Sequence, residues 1–219
     1  MYRTEDLFDL TKTEAAELLK KYFYPWEALG AVSEYICKLG EKLSDFEFTR
    51  LAENIWVAKD AKVFPSAHIS GPCIICQGAE IRHCAFIRGS ALIGKKAVVG
   101  NSTELKNVIL FDEAHVPHYN YVGDSILGFR AHMGAGSITS NVKSDNSNVT
   151  VCDGDERVKT DRRKIGAMIG DFAEIGCNSV LNPGAVIGRR ATVYPLMSVR
   201  GTVPEDSIYK AQGLIVRKT

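Results

Sequence analysis

The chain has 219 residues, 45% of them hydrophobic, and its 27 Lys and Arg balance 26 Asp and Glu to a formal charge of +1. That balance offers no electrostatic footprint for nucleic acid or an anionic membrane, so any anion site must be local. No run of about 18 apolar residues occurs, and the opening MYRTEDLFDL carries acids where a secretion signal is basic and then apolar. The expectation is a cytoplasmic protein that contacts neither nucleic acid nor membrane.

In chain order, Thr11 and Glu14 form a capping box ahead of the stripe Ala15, Leu18, Leu19, Tyr22 and Phe23, which Pro25 ends. A second stripe follows at Leu29, Val32, Ile36, Leu39 and Leu43. Together they predict a helical hairpin over residues 11–44, within an N-terminal cap of residues 1–52. Its expected place is over the open end of the domain that follows, where strand edges would otherwise be exposed, or at a subunit contact.

From Val57 onward an aliphatic residue recurs at every sixth position: Val57, Val63, Ile69, Ile75, Ile81, Ile87, Ile93, Val99 and Leu105. Four positions after each of the first eight stands a mostly small residue, from Ala61 and Ala67 to Ala97 and Thr103, and the aliphatic pattern resumes at Ile169, Ile175, Leu181, Ile187, Val193 and Val199. A period of six fits neither a helix face nor simple strand alternation. It fits a prism of short strands whose corners each turn one aliphatic and one small side chain inward, a parallel β-helix spanning residues 53–219. In that register Cys73 points in and Cys76 points out, which argues against a zinc knuckle despite the spacing of the pair.

The repeat falters twice. Residues 106–121 slip phase and contain His115, His118 and Tyr121; Leu127 and Met133 restore the step as far as Thr139, after which a polar segment, residues 142–164, reads as a loop protruding from the prism. A regular prism has no built-in pocket, so chemistry is expected where regularity fails. Coils of roughly eighteen residues stack Arg88, Lys106 and the stretch from His118 to Asp124 on neighbouring levels. A guanidinium and an ammonium set beside a histidine suit a phosphate-bearing ligand.

The segments VGNSTELKN (99–107), PHYNYVGDSILG (117–128), MGAGSITSN (133–141) and DRRKIGAMIGDFAEIGCNSVLNPGAVIG (161–188) resemble the C-terminal acetyltransferase domain of GlmU-type enzymes and of archaeal sugar-1-phosphate thymidylyltransferase-like bifunctional enzymes. The resemblance covers roughly residues 55–207. It implies an all-β, left-handed hexapeptide-repeat β-helix with a small N-terminal helical hairpin, a homotrimer with active sites between subunits, and acetyl transfer from acetyl-CoA to the amine of an amino-sugar 1-phosphate, with no metal. The nucleotidylyltransferase portion of such enzymes has no counterpart here, since no G-x-G-T-R loop precedes the repeat.

Carried onto this sequence, the resemblance makes His118 of the His-x-x-Tyr-x-Gly-Asp motif the general base. Tyr121, Arg88, Lys106 and Asn141 become substrate-binding residues, and Ala135 and Cys177 become backbone contacts to the acetyl-CoA arm. An imidazole with an ordinary pKa near 6.5 suits the proton that an aminosugar ammonium must lose, and the Gly-Ala-Gly turn offers N–H groups to an oxyanion. Two positions depart from the pattern. His132 stands where relatives carry a second asparagine, and Ser147 replaces a phosphate-directed lysine, for which Lys143 is the nearest substitute. That loss motivates an alternative, a degenerate protein that binds sugar phosphates or a partner. A γ-type carbonic anhydrase is a further alternative, although His83, His115 and His118 do not reproduce its ligand spacing.

Overall fold

The computed structural model describes residues 1–218. Its body is a left-handed parallel β-helix of three faces. On the first face the inward residues Val57, Ile75, Ile93, Leu110, Leu127, Ile169, Ile187 and Val203 stand in register on successive coils. Val63, Ile81, Val99, Val116, Met133, Ile175, Val193 and Tyr209 do the same on the second face. These columns and the small residues Cys73, Ala79, Ala85, Ala91 and Ala97 form one continuous core inside the prism. Cys76 belongs instead to a second apolar cluster outside it, so the two thiols do face opposite ways. Burial pushes the Cys73 thiol up to about 12 and raises that of Cys76 as well, which leaves both as inert packing groups.

The second cluster corrects the expected position of the N-terminal segment. It does not plug the end of the prism; it lies along the first face. The outward residues Trp56, Ile74, Leu92, Ile109, Ile126, Met168 and Val186 of that face are apolar, and Leu7, Phe8, Leu18, Leu19, Trp26, Leu29, Val32 and Ile36 cover them. Each such side chain removed from water contributes about 1.5–3 kcal/mol, so the stripes are satisfied by the flat face rather than by each other. The helices are correspondingly short: Thr4–Leu7, Ala16–Leu19 and Val32–Gly40, with 3-10 segments at Leu10–Lys12 and Pro25–Gly30. Thr11 lies in the first 3-10 segment, capped by Asp9, and Pro25 begins a segment instead of ending a helix. The edge of the first coil is covered by a strand, Phe48–Ala52, paired antiparallel with Ile55–Ala58.

The segment expected to protrude also behaves differently. It leaves the coil at the bridge between Val142 and Lys164, then folds back as an antiparallel hairpin, Thr150–Asp153 with Glu156–Lys159. Val149 and Val151, an alternation easily missed among polar neighbours, are buried beside Ile165, Met168 and Val186. Thr202 Oγ1 donates to the carbonyl of Cys152 at 2.8 Å and ties the hairpin to the coil. The first face is thus covered by the N-terminal segment on the early coils and by the hairpin on the later ones. Among the described residues the second and third faces carry no such apolar cover.

Ala85 is 1% exposed and points into the prism. Ala85→Leu should overpack its corner and cost about 1–3 kcal/mol, because the coils above and below resist displacement. Urea unfolding that leaves the midpoint and slope unchanged would show that this slot is not filled.

Candidate functional site

The phase slip has a simple backbone cause. Residues with positive φ recur at Cys84, Ser90, Lys96, Ser102, Asn107, Glu113, Tyr119, Asp124 and Arg130, one for each corner of the prism. The interval is six except between Ser102 and Asn107 and between Tyr119 and Asp124, where it is five. On these two coils the third face is one residue short, and the chain runs from the third face into the first as single strands, Glu104–Leu110 and Tyr121–Leu127. Asn and Asp occupy the shortened corners, and they tolerate left-handed backbone better than other side chains.

The core beneath the short corner is polar. Gly123 donates its N–H to Thr139 Oγ1 at 2.9 Å and accepts from Ser125 Oγ at 2.7 Å, and Ser125 Oγ accepts the N–H of Ala167 at 3.0 Å. Thr139 and Ser125 therefore occupy inward slots because this backbone needs hydroxyl partners. A Cβ on Gly123 would lie 2.5 Å from Tyr121 Oη and 2.8 Å from Asn141 Nδ2, so any larger residue there would displace these two side chains.

Above that support sits a polar cluster centred on Asp124. Lys106 Nζ lies 2.9 and 3.1 Å from the two oxygens of Asp124, Asn107 Nδ2 donates to Asp124 Oδ1 at 2.8 Å, and Asn141 Nδ2 donates to Asp124 Oδ2 at 2.6 Å. Asn141 Nδ2 is also 3.2 Å from Tyr121 Oη, and burial raises the pKa of that hydroxyl, keeping it a neutral donor. The Asp124 side chain is only 5% exposed. Lys106, Tyr121 and Asn141 are thus brought together by a residue to which the sequence analysis gave no role. Its signals were its place at the end of the His-x-x-Tyr-x-Gly-Asp motif and the five-residue step that ends on it. Arg88 stands one coil above Lys106, with its N–H bonded to Leu105 O, and its guanidinium pairs with Glu104 at 2.6 Å.

His118, Ala135 and Cys177 stand on the adjoining corner, between the second and third faces. Backbone bonds climb that corner coil by coil: Gly136 N–H to His118 O at 3.0 Å, Asn178 N–H to Ala135 O at 2.8 Å and Leu196 N–H to Cys177 O at 2.9 Å. The three residues therefore form one column, about 4.8 Å apart per coil. Asn120, also missed, fixes the His118 turn from inside. Its Oδ1 accepts the His118 N–H at 3.0 Å, and its Nδ2 donates to Gly134 O and Ser137 O at 2.9 and 3.0 Å. His118 is exposed. In the Gly134–Ala135–Gly136 turn the outer N–H groups are committed, to Ile175 O and His118 O. Among the described residues, the N–H groups of Ala135 and Cys177 have no backbone acceptor.

The remaining residues of interest lie elsewhere. His132 is on the second face, in register with His115, and its Nδ1 is 2.9 Å from Glu174 Oε2. Burial, with His132 beside it, holds the His115 imidazole below its ordinary pKa. Ser147 Oγ is 2.6 Å from Lys143 Nζ, and both contact the Asp145 carboxylate of the same loop. Among the described residues no set of three His, Cys, Asp or Glu side chains is placed to hold a metal ion, and no helix is long and apolar enough to cross a membrane.

A family profile described as the GMPPB C-terminal domain matches residues 69–161. The bifunctional protein GlmU of Methanococcus maripaludis is 32% identical over 198 residues, covering 89% of this chain and 48% of that protein. A bifunctional sugar-1-phosphate nucleotidylyltransferase/acetyltransferase of Sulfurisphaera tokodaii is 30% identical over 161 residues, covering 74% of this chain and 40% of the other. The chain is a hexapeptide-repeat β-helix and is similar to these relatives over part of their length. It spans about half the length, or less, of these relatives. Among solved structures, a hexapeptide transferase family protein from Anaplasma phagocytophilum covers 74% of this chain and 78% of its own, at 16% identity and a TM-score of 0.42.

Asp124→Ala should cost about 1.5–3 kcal/mol, since it strands donors that now share one carboxylate. Lys106→Ala introduced in that background should add little, giving a coupling of about 0.5–3 kcal/mol in a double-mutant cycle. Strict additivity in urea unfolding would separate the two residues energetically.

Proposed function

We propose that the protein transfers an acetyl group from acetyl-CoA to the amine of an amino-sugar 1-phosphate. The observation that carries this reading is the pairing of two neighbouring corners. One presents an exposed imidazole and two uncommitted N–H groups in a column; the other presents a cation, an amide and a phenol held around Asp124. In this scheme His118 takes the proton from the acceptor nitrogen as the nitrogen attacks the thioester carbonyl. The Ala135 N–H stabilises the oxyanion, the C–S bond breaks, and the proton passes to the departing thiolate. Not the whole Gly-Ala-Gly turn but one N–H of it is available for this step. The amide-bearing arm of acetyl-CoA fits a column of N–H donors one coil apart, with Cys177 next in line. Lys106 and Arg88 hold the acceptor phosphate, Tyr121 and Asn141 its sugar.

The loop that has Ser147 in place of the lysine still carries an ammonium, that of Lys143, which supports the enzymatic reading over the degenerate-binder alternative. The reading extends to a homotrimer with sites between subunits. Phe86, Tyr119, Tyr194 and Leu196 lie along the corner of His118 and its flanks and are 41%, 66%, 41% and 74% exposed. Covering that apolar line with a second copy removes it from water while leaving the already covered first face outside.

His118→Ala should lower turnover with glucosamine-1-phosphate about 100-fold or more while moving acceptor KM little; wild-type turnover in this variant would remove His118 from the reaction. Light scattering at micromolar concentration should give three times the chain mass, and a monomer there would sink the shared site. Alkylation supplies a test of the donor column that needs no acceptor. Cys84 and Cys177 are exposed and Cys73 and Cys76 buried, so iodoacetamide should label the first two earliest. Acetyl-CoA should slow labelling of Cys177 at least several-fold, and equal rates with and without it would place the donor elsewhere.

A further inference from the structure

The inward slots beneath the corner of His118, Ala135 and Cys177 are polar on four successive coils. Thr103, Asn120, Ser137 and Ser179 fill them, aligned by the pairings of Glu104 with Tyr121, Tyr121 with Ile138 and Ile138 with Val180, and all four are 3% exposed or less. One coil above Thr103 the slot holds Ala85. The corner between the first and second faces holds Ala97, Ala114, Ala131 and Ala173 on the same four levels. Alanine therefore satisfies the packing of such a slot, and a buried hydroxyl or amide costs free energy unless it is bonded. The polar side chains answer a need other than volume.

That need is concentrated on one peptide group. The carbonyl of Gly134 accepts the N–H of Ser137 at 3.1 Å, a turn bond of the kind that Ala85, Ala97 and Ala131 also make. In addition it accepts from Ser137 Oγ at 2.7 Å and from Asn120 Nδ2 at 2.9 Å. Both side chains lie inside the prism, so this carbonyl is drawn inward. The Gly134–Ala135 peptide is trans, and in a trans peptide the N–H points opposite to the C=O. The Ala135 N–H is therefore held outward, and among the described residues it has no backbone acceptor. Donors on the carbonyl also polarise the peptide and strengthen the N–H on its other side. Thr103 and Ser179 each bond one carbonyl in the same way, Val116 O and Tyr194 O, both at 3.0 Å. Those carbonyls are followed by Pro117 and Pro195, which have no N–H to present.

We propose that Ser137 and Asn120 are positioning residues for acyl transfer: from inside the prism they fix the Gly134–Ala135 peptide so that its N–H meets the oxyanion without reorienting. The inference rests on the acyl-transfer reading above and deepens it. As the acceptor nitrogen bonds to the thioester carbon, the carbonyl electron pair moves onto oxygen, and it returns when the C–S bond breaks. A donor already aimed at that oxygen costs no reorganisation at the moment of reaction. Asn120 serves both halves of the site, since its Oδ1 also accepts the His118 N–H at 3.0 Å. Ser137 acts on the oxyanion side alone.

Ser137→Ala removes one inner donor and leaves in the slot the side chain that Ala131 places at the other corner of the same coil. Ser137→Thr keeps the hydroxyl, as Thr103 does two coils above. With acetyl-CoA and glucosamine-1-phosphate, Ser137→Ala should lower kcat about ten-fold while both KM values stay within about two-fold, and Ser137→Thr should restore kcat to within about three-fold. Wild-type kcat in Ser137→Ala overturns the proposal, as does a loss that Ser137→Thr does not restore or that comes with a comparable rise in either KM. Where Ser137→Ala lowers the melting temperature, the nearly isosteric Ser137→Cys, a weak donor, takes its place. A spectrum reads the peptide directly. In protein carrying nitrogen-labelled alanine, the Ala135 amide proton, identified by its loss in Ala135→Gly, should move upfield in Ser137→Ala and return in Ser137→Thr. An unmoved resonance overturns the proposal whatever the kinetics. If the wild type turns over neither substrate, acyl transfer to this sugar falls, and the spectrum alone then decides whether Ser137 holds the peptide.

Discussion

From Gly78 to Gly136, and again from Phe172 to Asp206, each corner of the prism is turned by a residue in left-handed backbone. Along these coils the corners mark the hexad as regularly as the aliphatic residues do. Where a residue is lost from a side, as between Ser102 and Asn107 and between Tyr119 and Asp124, the corner is kept and the side is shortened. Backbone groups that a regular coil pairs with the next coil are left over at the short corner. The interior answers with hydroxyls, Ser125 and Thr139 beneath Gly123, and the exterior with Asn107 and Asp124. Both changes follow from one missing residue per coil, repeated on two adjacent levels. The candidate site is thus a defect in the lattice, stabilised by the lattice on either side.

Parallel coils give such a site its precision. A position on one level is tied to the next by a backbone bond of about 2.8–3.0 Å, as along His118, Ala135 and Cys177, so groups brought together here are held by strands rather than by mobile loops. Asn120 adds a side-chain link between levels beside the ladder at the His118 turn, joining it to the carbonyls of Gly134 and Ser137. Gly100 permits the approach from above, since a Cβ there would fall 1.5 Å from the carbonyl oxygen of Pro117.

The period of six made the prism legible in the sequence, because inward slots accept only certain side chains and every coil repeats the test. The opposite orientations of Cys73 and Cys76 and the adjacency of Arg88 and Lys106 followed from the same count. The members of the candidate site were legible through motif resemblance, and the role of its hub was not: Asp124 closes the His-x-x-Tyr-x-Gly-Asp motif, but nothing in the motif says that it gathers Lys106, Asn107 and Asn141. The N-terminal segment was misplaced for a different reason. Its stripes at Leu18, Leu19, Val32 and Ile36 specify that one side is buried but not against what, and the decisive information lay in the outward residues Ile74, Leu92, Ile109 and Ile126, which a search for inward positions passes over. Val149 and Val151 escaped notice in the same way, their alternation being too short to stand out from a polar surround.

The charges around the site set an order on ligand binding. Each of its two cations is already matched by a carboxylate, but the two pairs differ in environment. Arg88 and Glu104 are 46% and 32% exposed, a setting in which an ion pair contributes little and gives way readily to a competing anion. Asp124 is nearly enclosed and accepts from Lys106, Asn107 and Asn141 together, so withdrawing Lys106 from it strands a buried charge. An incoming phosphate is therefore best accommodated by Arg88 leaving Glu104 while Lys106 stays in place and is shared, with its remaining ammonium protons directed outward. Arg88 and Lys106 look equivalent as two cations one coil apart. In the folded chain Arg88 is the adaptable partner and Lys106 the fixed one, and Asp124 makes the difference.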